Sequence, residues 1–292
     1  MAAIADHEGS AVASPRGFFS NMRMSARIAC ALVAILLITA VAAPLVAPYD
    51  PNAVDLPGRL QGPSLAHWLG TDHLGRDMLS RLIYGSRVSL GAVAIALTGI
   101  IALGIAIGGT SAVLGGRADQ FIMRCCDVFL TFPTIVLALF MVGMLGTGLV
   151  NVIIAIVLSH WAWYARIVRG LVLSFKRRDF VLAARVAGAS RTRIFIEHLL
   201  PPTFAQLVVL ATLDIGHIML HVSGLSFLGL GVMAPTAEWG VMINDARQFV
   251  WTEPMLLFWP GFALFVAVAA FNLAGDAIRD KLDPHLAAEH QH

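Results

Sequence analysis

Phe180-Val-Leu-Ala-Ala-Arg-Val-Ala-Gly188-Ala-Ser-Arg-Thr-Arg-Ile-Phe-Ile-Glu-His-Leu-Leu-Pro201 is a helix-compatible stretch between long apolar runs, and its reading decides the fold. Gly188 predicts a turn between two short helices, because glycine adopts backbone angles closed to other residues. Pro201 predicts the end of the second helix and the opening of the next apolar run, since proline disrupts the turn before it. Ala183, Ala184 and Gly188 are small and let backbones approach, which suits a helix seated close in another protein's groove. Nine residues separate Gly188 from His198-Leu-Leu200-Pro201.

The surroundings of this stretch are membrane-like. Of 292 residues, 58% are hydrophobic and 13% charged, and the mean hydropathy is +0.78. Soluble domains carry about 25% charged residues, so a bilayer is the expected solvent. The net charge of +2 decides nothing by itself. Cys30, Cys125 and Cys126 all lie in apolar runs, which argues against a disulfide framework. Basic residues never interleave with aromatics on a polar surface, so nucleic acid is not an expected partner.

A membrane crossing needs about 20 mostly apolar residues. Six stretches qualify: 28–46, 88–114, 121–145, 149–173, 205–230 and 255–273. Gly104, Gly108 and Gly109 in the second suit tight interhelical packing. The first is too long, and too far behind a polar leader, for a signal peptide ending near Ala40-Val-Ala42. The expected organisation is a leader (1–27), a first span (28–46), an extracytoplasmic segment (47–87), a five-span core (88–276) carrying the loop 176–201, and a tail (277–292). Six spans put both termini on one side. Placing that side in the cytoplasm puts Arg117, Arg124, Lys176, Arg177, Arg178, Arg185, Arg191 and Arg193 inside, with basic residues of the leader and tail. The outer loops then hold seven acidic residues and only Arg59, Arg76, Arg81, Arg87 and Arg247, which is the positive-inside bias.

The outer segment carries His67-Trp-Leu-Gly-Thr-Asp-His-Leu-Gly-Arg-Asp77. From Asp72 onward, Leu74, Met78 and Leu82 recur every fourth residue and predict an amphipathic helix at the interface. Asp77 and Arg81 have the spacing to pair on its polar side. Asp72, Arg76 and Asp77 are also candidates for docking an external delivery protein. Glu238 and Trp239 in the outer loop 234–254 are further candidates, and the tryptophans there suit the membrane interface. No nucleophile or activating base accompanies Glu238 and Asp245, so a catalytic reading is not expected.

Leu69-Gly-Thr-Asp72, Leu74-Gly-Arg-Asp77, Arg87-Val-Ser-Leu90, the loop, Leu225-Ser-Phe-Leu-Gly-Leu-Gly231, Trp239-Gly240, Phe271-Asn-Leu-Ala-Gly-Asp276 and Leu282-Asp-Pro284 together resemble the C-type permease subunits of the dipeptide, oligopeptide and nickel ABC importers. Within that family the nickel branch is most similar, on Ser159-His-Trp-Ala-Trp-Tyr-Ala165, Leu213-Asp-Ile-Gly-His-Ile-Met-Leu-His221 and Asp283-Pro-His-Leu-Ala-Ala-Glu-His290. The resemblance implies an all-α membrane protein with six transmembrane helices and the type I ABC importer permease fold, set in the bacterial inner membrane. It implies a homologous second permease, two ABC ATPase subunits and an extracytoplasmic nickel-binding protein as partners. Ala183, Ala184, Arg185, Gly188, Ala189, His198, Leu200 and Pro201 would then form the coupling loop to the ATPase. Leu182 stands where many relatives have Glu, so any salt bridge made there by relatives is not expected here. The residues themselves agree that energy comes from elsewhere. Lys176 and Lys281 are the only lysines and neither follows a glycine, so no Walker A loop is present. ATP is expected to be bound and hydrolysed by partners, and the chain itself is expected to need no cofactor.

The fifth apolar run holds an unusual polar set, Asp214, His217 and His221. Positions i, i+3 and i+7 share one helix face. Ionisable groups inside a span usually face a cavity or a partner. Neutral imidazole is a good ligand for Ni(II), so these three residues are candidates for a metal transit path. Two imidazoles and one carboxylate leave an octahedral set incomplete, which suits passing contacts rather than capture. The alternative is that the histidines hydrogen-bond neighbouring helices. His160, among Trp161, Trp163 and Tyr164, reads as packing. Cys125 and Cys126 read as buried thiols, and His285, His290 and His292 as a polar tail. The expected function is inward translocation of nickel, bare or chelated. Alternatives within the class are peptides or another divalent cation. An ion-coupled secondary transporter is the different-class rival.

Overall fold

A computed structural model describes residues 24–282, which are helical with no β-strand. The helices are α1 (Met24–Val46), α2 (Met78–Leu114), α3 (Gly116–Leu130), α4 (Thr134–Leu145), α5 (Leu149–Phe175), α6 (Asp179–Val186), α7 (Arg191–Ile194), α8 (Leu200–Phe227), α9 (Trp239–Ala246) and α10 (Met255–Leu282). Five helical runs are long and apolar enough to cross a membrane: α1, α2, α5, the joined α7–α8 and α10. The pair α3 and α4 makes a sixth crossing only if counted together, because the two are bent by 88°.

That bend corrects the continuous third span expected over 121–145. The break falls at Thr131-Phe132-Pro133, where Pro133 is extended (ψ 130°) and starts α4. Proline also drives the residue before it away from helical angles. In addition, α3 places Arg117, Asp119, Arg124 and Asp127 within 15 residues, so it is amphipathic rather than uniformly apolar.

A second correction concerns Pro201. It does not end a helix, since the run from Arg191 to Phe227 is continuous. Pro201 and Pro202 have no N–H to donate, and the chain absorbs the deficit as a single π-turn over Phe195–Leu199. The N–H of Leu200 reaches back to the Phe195 carbonyl, and the prolines occupy the first positions of α8.

The segment before α2 corrects a third expectation. Residues 72–77 form a tight turn rather than an interfacial helix, and the helix starts at Met78. Asp77 does not pair with Arg81. Its carboxylate caps α2, accepting from the Ser80 N–H (2.8 Å) and hydroxyl (2.7 Å), and it also takes the His67 Nδ1–H (2.9 Å).

α2 and α5 form the most heavily packed pair. The glycines of α2 make this approach possible. A methyl group at Gly104 would lie 2.7 Å from Tyr164 Cβ, and one at Gly108 would overlap the Ala165 carbonyl. Around this pair, Ile100, Val152, Ile156, Val168, Leu207, Ile218, Met219 and Ala267 close the core. α1 lies outside against α2 and α10, showing Ile35, Ile38, Val41 and Leu45 to the surroundings, as a lipid-facing helix does.

The bundle has two distinct ends. At one, residues 47–77 and 231–254 fold into a cap, with Tyr49 N–H on Ser80 Oγ (3.0 Å) and Gly148 N–H on the Leu230 carbonyl (3.4 Å). At the other, α6 and α7 form the loop, and Lys176 Nζ donates to the Ala112 carbonyl (2.9 Å). The start of α1 and the end of α10 both point toward the loop end.

Asp119 fastens the loop end. It accepts two bonds from Arg169 (2.5 and 2.6 Å) and one from the Ser111 hydroxyl (2.5 Å), so α2, α3 and α5 meet on one carboxylate. Asp119→Ala removes all three bonds and strands a guanidinium. A loss of about 2 kcal/mol is expected, read as a lower unfolding temperature of the purified protein, with Asp119→Asn falling in between.

Candidate functional site

The sequence-singled residues of α8 come together with two from α5. Tyr164 donates its hydroxyl to Asp214 Oδ2 (3.2 Å), which holds the carboxylate against α5. The His217 and His221 rings are 5.8 Å apart between centroids, and His160 stands 5.5 Å from His221, edge to face. Three imidazoles and one carboxylate therefore share a single patch, contributed by two helices. His160, read from sequence as packing, does pack edge to face, and the ring it meets is that of His221. The buried Nδ1 of His160 has no hydrogen-bond partner among the described residues. The available signal was the i, i+4 placement of His160 and Tyr164 on one face of α5. Nothing local announced that this face meets α8.

The ring nitrogens have distinct roles. His221 Nδ1 lies 2.8 Å from the His217 carbonyl. A carbonyl only accepts, so Nδ1 carries a proton, and in the neutral ring Nε2 keeps its lone pair. At metal–nitrogen bonds of about 2.1 Å, two imidazoles on one ion have centroids roughly 4.5 Å apart when cis and 6.4 Å when trans. The observed separations of 5.5 and 5.8 Å match neither value, so the rings as placed do not share one octahedral ion. Among the described residues no three His, Cys, Asp or Glu groups converge as a closed metal site. The patch offers donors singly.

Other metal candidates separate from it. Cys126 packs against Trp161, Ala162 and Ala165, while Asp127 beside it is held by Arg166 and by Arg124 (3.7 Å). His67 serves Asp77, and His73 stacks on Phe249. The tail histidines 285, 290 and 292 lie outside the described residues.

The loop is built around Gly188. Its φ is +83°, the Gly188 N–H bonds the Arg185 carbonyl (3.0 Å), and the Ala189 N–H bonds the Ala184 carbonyl (3.1 Å). This pair of bonds is the Schellman closure of a helix, which requires a left-handed residue at Gly188 and brings Ala184 and Ala189 together. Ser190 then caps α7, accepting from the Arg193 N–H (3.3 Å). Val181 is buried and anchors α6, whereas Phe180, Leu182, Ala183 and Arg185 are exposed, and Val186 is 90% exposed. Leu200 and His198 are half-buried in the continuous run that leads into α8.

At the cap end the five docking candidates are corrected. Asp72, Arg76, Asp77, Glu238 and Trp239 are all buried, so none offers a surface to a delivery protein. Asp72 takes Arg76 Nε (2.6 Å) and Arg81 Nε (3.4 Å), and Asp245 lies 3.4 Å from Arg76 and 3.8 Å from Arg81. Two cations and two anions thus balance inside the cap. Glu238 caps α9 through the Val241 N–H (3.0 Å) and accepts the Ser89 and Ser223 hydroxyls (3.0 Å each). Trp239, expected at an interface, lies on Gly85 and donates Nε1–H to the Leu82 carbonyl (3.1 Å). Trp251 alone of this pair is exposed.

The family described as binding-protein-dependent transport system inner membrane component matches residues 100–288. The chain belongs to that family. A second match, the N-terminal TM domain of oligopeptide transport permease C, covers residues 18–63 of this inner membrane component. It is 60% identical to the nickel transport system permease protein NikC of Escherichia coli K12, over 94% of this chain and 99% of NikC. It is 41% identical to the metal-staphylopine import system permease protein CntC of Staphylococcus aureus, over 90% and 91% of the two chains. The probable D,D-dipeptide transport system permease DdpC of Escherichia coli is likewise 41% identical, over 87% and 85%. Among solved structures, a chain of the MetNI methionine ABC transporter aligns with TM-score 0.58 at 18% identity, over 70% of this chain and 98% of that one. The all-helical bundle has the type I ABC importer permease fold, and the chain is a multi-pass membrane protein.

Proposed function

We propose that this chain is the nickel-translocating permease subunit of an ATP-driven importer, with its loop end in the cytoplasm. It works with a homologous second permease, two ABC ATPase subunits that bind and hydrolyse the ATP, and an extracytoplasmic nickel-binding protein. The observation that carries the reading is the imidazole patch of His160, His217 and His221 beside Asp214, set within spans where polar groups are unfavourable unless they face a path or a partner. The similarity to NikC supports nickel as the cargo, and the similarity to CntC keeps a chelated metal open. Single donors favour release, which a conduit needs as much as binding.

The route from energy to cargo follows one helix. α7 continues without a break into α8, so a push on the loop is carried along one helical run to His217, about 35 Å beyond the end of α7 at 1.5 Å per residue. His160 sits on α5, and motion of α8 against α5 changes the spacing of the imidazoles. ATP binding in the partners would thereby switch the patch between an outward and an inward setting.

The test is uptake by the complete complex in proteoliposomes. Accumulation of radiolabelled nickel is expected to require ATP, the ATPase subunits and the binding protein, and to resist excess dipeptide. Dipeptide competition would move the cargo to peptides, and flux without the ATPase subunits would favour an ion-coupled carrier.

A further inference from the structure

At the loop end, where α2 and α5 finish and α6–α7 fold back, a cleft of about 390 Å³ opens between Val113, Leu114, Lys176, Arg185, Arg191 and Ile194. A wider groove of about 660 Å³ shares Lys176 and Arg185 with it and runs on past Arg177 and Leu173. These volumes lie in the range of about 300–1,000 Å³ usual for small-ligand sites. No carboxylate lines either one. Two acidic groups at this end are already committed, Asp119 to Arg169 and Glu197 to Arg193. Among the described residues, no ion pair engages Arg185 or Arg191. Burial, with Arg185 and Arg191 close by, pulls the Lys176 ammonium below the usual lysine range. The cleft is short of negative charge.

Its floor has the opposite character. Val113 and Leu114 are the last residues of a span, and Ile194 belongs to the run entering the next one. Leu114 is exposed where α2 leaves the bundle. The cations thus sit at the level where apolar helices give way to polar loop, above an apolar wall. An occupant must be anionic at one end and apolar at the other.

We propose that this cleft binds an anionic phospholipid, its phosphate between Lys176, Arg185 and Arg191 and its acyl chains along Leu114. Basic pockets between helix ends at a membrane face suit such headgroups. A carboxylate from an ATPase subunit would match the cations and leave the apolar wall uncovered. The lipid would seat the loop against the leaflet and so set the starting position of the rod formed by α7–α8. The assignment needs only that the helices span a bilayer, and it stands or falls independently of the cargo.

The experiment uses the assembled complex in vesicles of phosphatidylcholine and phosphatidylglycerol, with a photoactivatable phosphatidylglycerol as probe. Cross-links are expected at Val113–Leu114 or Ile194–Leu199. Arg185→Gln with Arg191→Gln should weaken labelling roughly thirtyfold, each basic residue near an anionic leaflet contributing a factor of about five. Arg185→Lys with Arg191→Lys should retain it, which separates lost charge from a misfolded loop. Equal labelling by photoactivatable phosphatidylcholine, unchanged labelling in the Gln variant, or absence of label because an ATPase subunit covers the cleft would each overturn the proposal. Displacement by millimolar inorganic phosphate would overturn it too, by marking a site for soluble anions.

Discussion

Gly108→Leu is expected to prevent assembly of the bundle. A side chain at this position meets the Ala165 backbone rather than the flexible end of another side chain, so no rotamer change relieves the overlap. α2 and α5 would have to separate along their whole contact, which is the largest among the described helices. Overpacking of a closed core costs about 1–3 kcal/mol when neighbours can shift, and a backbone neighbour places this case at or beyond the upper end. Gly91 supplies the control. It lies on the same helix, but a methyl group there meets nothing within 4 Å, so Gly91→Ala should leave the unfolding temperature nearly unchanged. Thermal unfolding and size-exclusion profiles of the two purified variants check the contrast. Equal behaviour would remove the close approach of α2 and α5 from the fold's foundations.

Glu238→Ala is expected to release the cap. One carboxyl group serves as helix cap for α9 and as acceptor for hydroxyls on α2 and α8, and it is fully buried. Its removal loses the cap and leaves the Ser223 hydroxyl without that acceptor, together roughly 3 kcal/mol or more. Trp239 would lose its anchored neighbour and its seat on Gly85. Protease sensitivity of residues 231–254 should rise sharply in Glu238→Ala. Glu238→Gln, which keeps one acceptor oxygen, should fall between the two. Unaltered protection in the alanine variant would mean that the cap is held by Trp239 and the Asp72–Asp245 ion group alone.

Much of the architecture was legible because hydrocarbon thickness dictates the length of an apolar run. α1, α2, α5 and α10 follow from that length alone. The third crossing misled because Phe121-Ile122-Met123 and Val128-Phe129-Leu130 keep the average apolar while charges gather on the other face of α3. Pro133 was the local warning. The turn at Gly188 was readable since the Schellman closure is a local device, whereas the π-turn before Pro201 depends on whether the chain breaks or bulges, which tertiary packing decides. At the cap, the fourfold spacing of Leu74, Met78 and Leu82 imitates a helix. Asp77 with Ser80 was the truer signal, a cap followed by its N–H donor. The burial of Arg76 and Arg81 was out of reach for any local reading, as their balancing partner Asp245 lies 169 residues beyond Arg76.

The candidate site was half legible. Helical periodicity alone brings Asp214, His217 and His221 to one face. His160 and Tyr164 join them only through the α5–α8 contact, which the aromatic-rich segment around His160 does not announce locally.

Nickel uptake by the reconstituted complex carrying His217→Ala and His221→Ala, measured beside its ATP hydrolysis, probes the route of the cargo most directly. Uptake is expected to fall at least about tenfold, the scale seen when even outer contacts of a metal site are removed, while hydrolysis by the partner subunits persists. Uptake at the parent rate would contradict a path past these imidazoles.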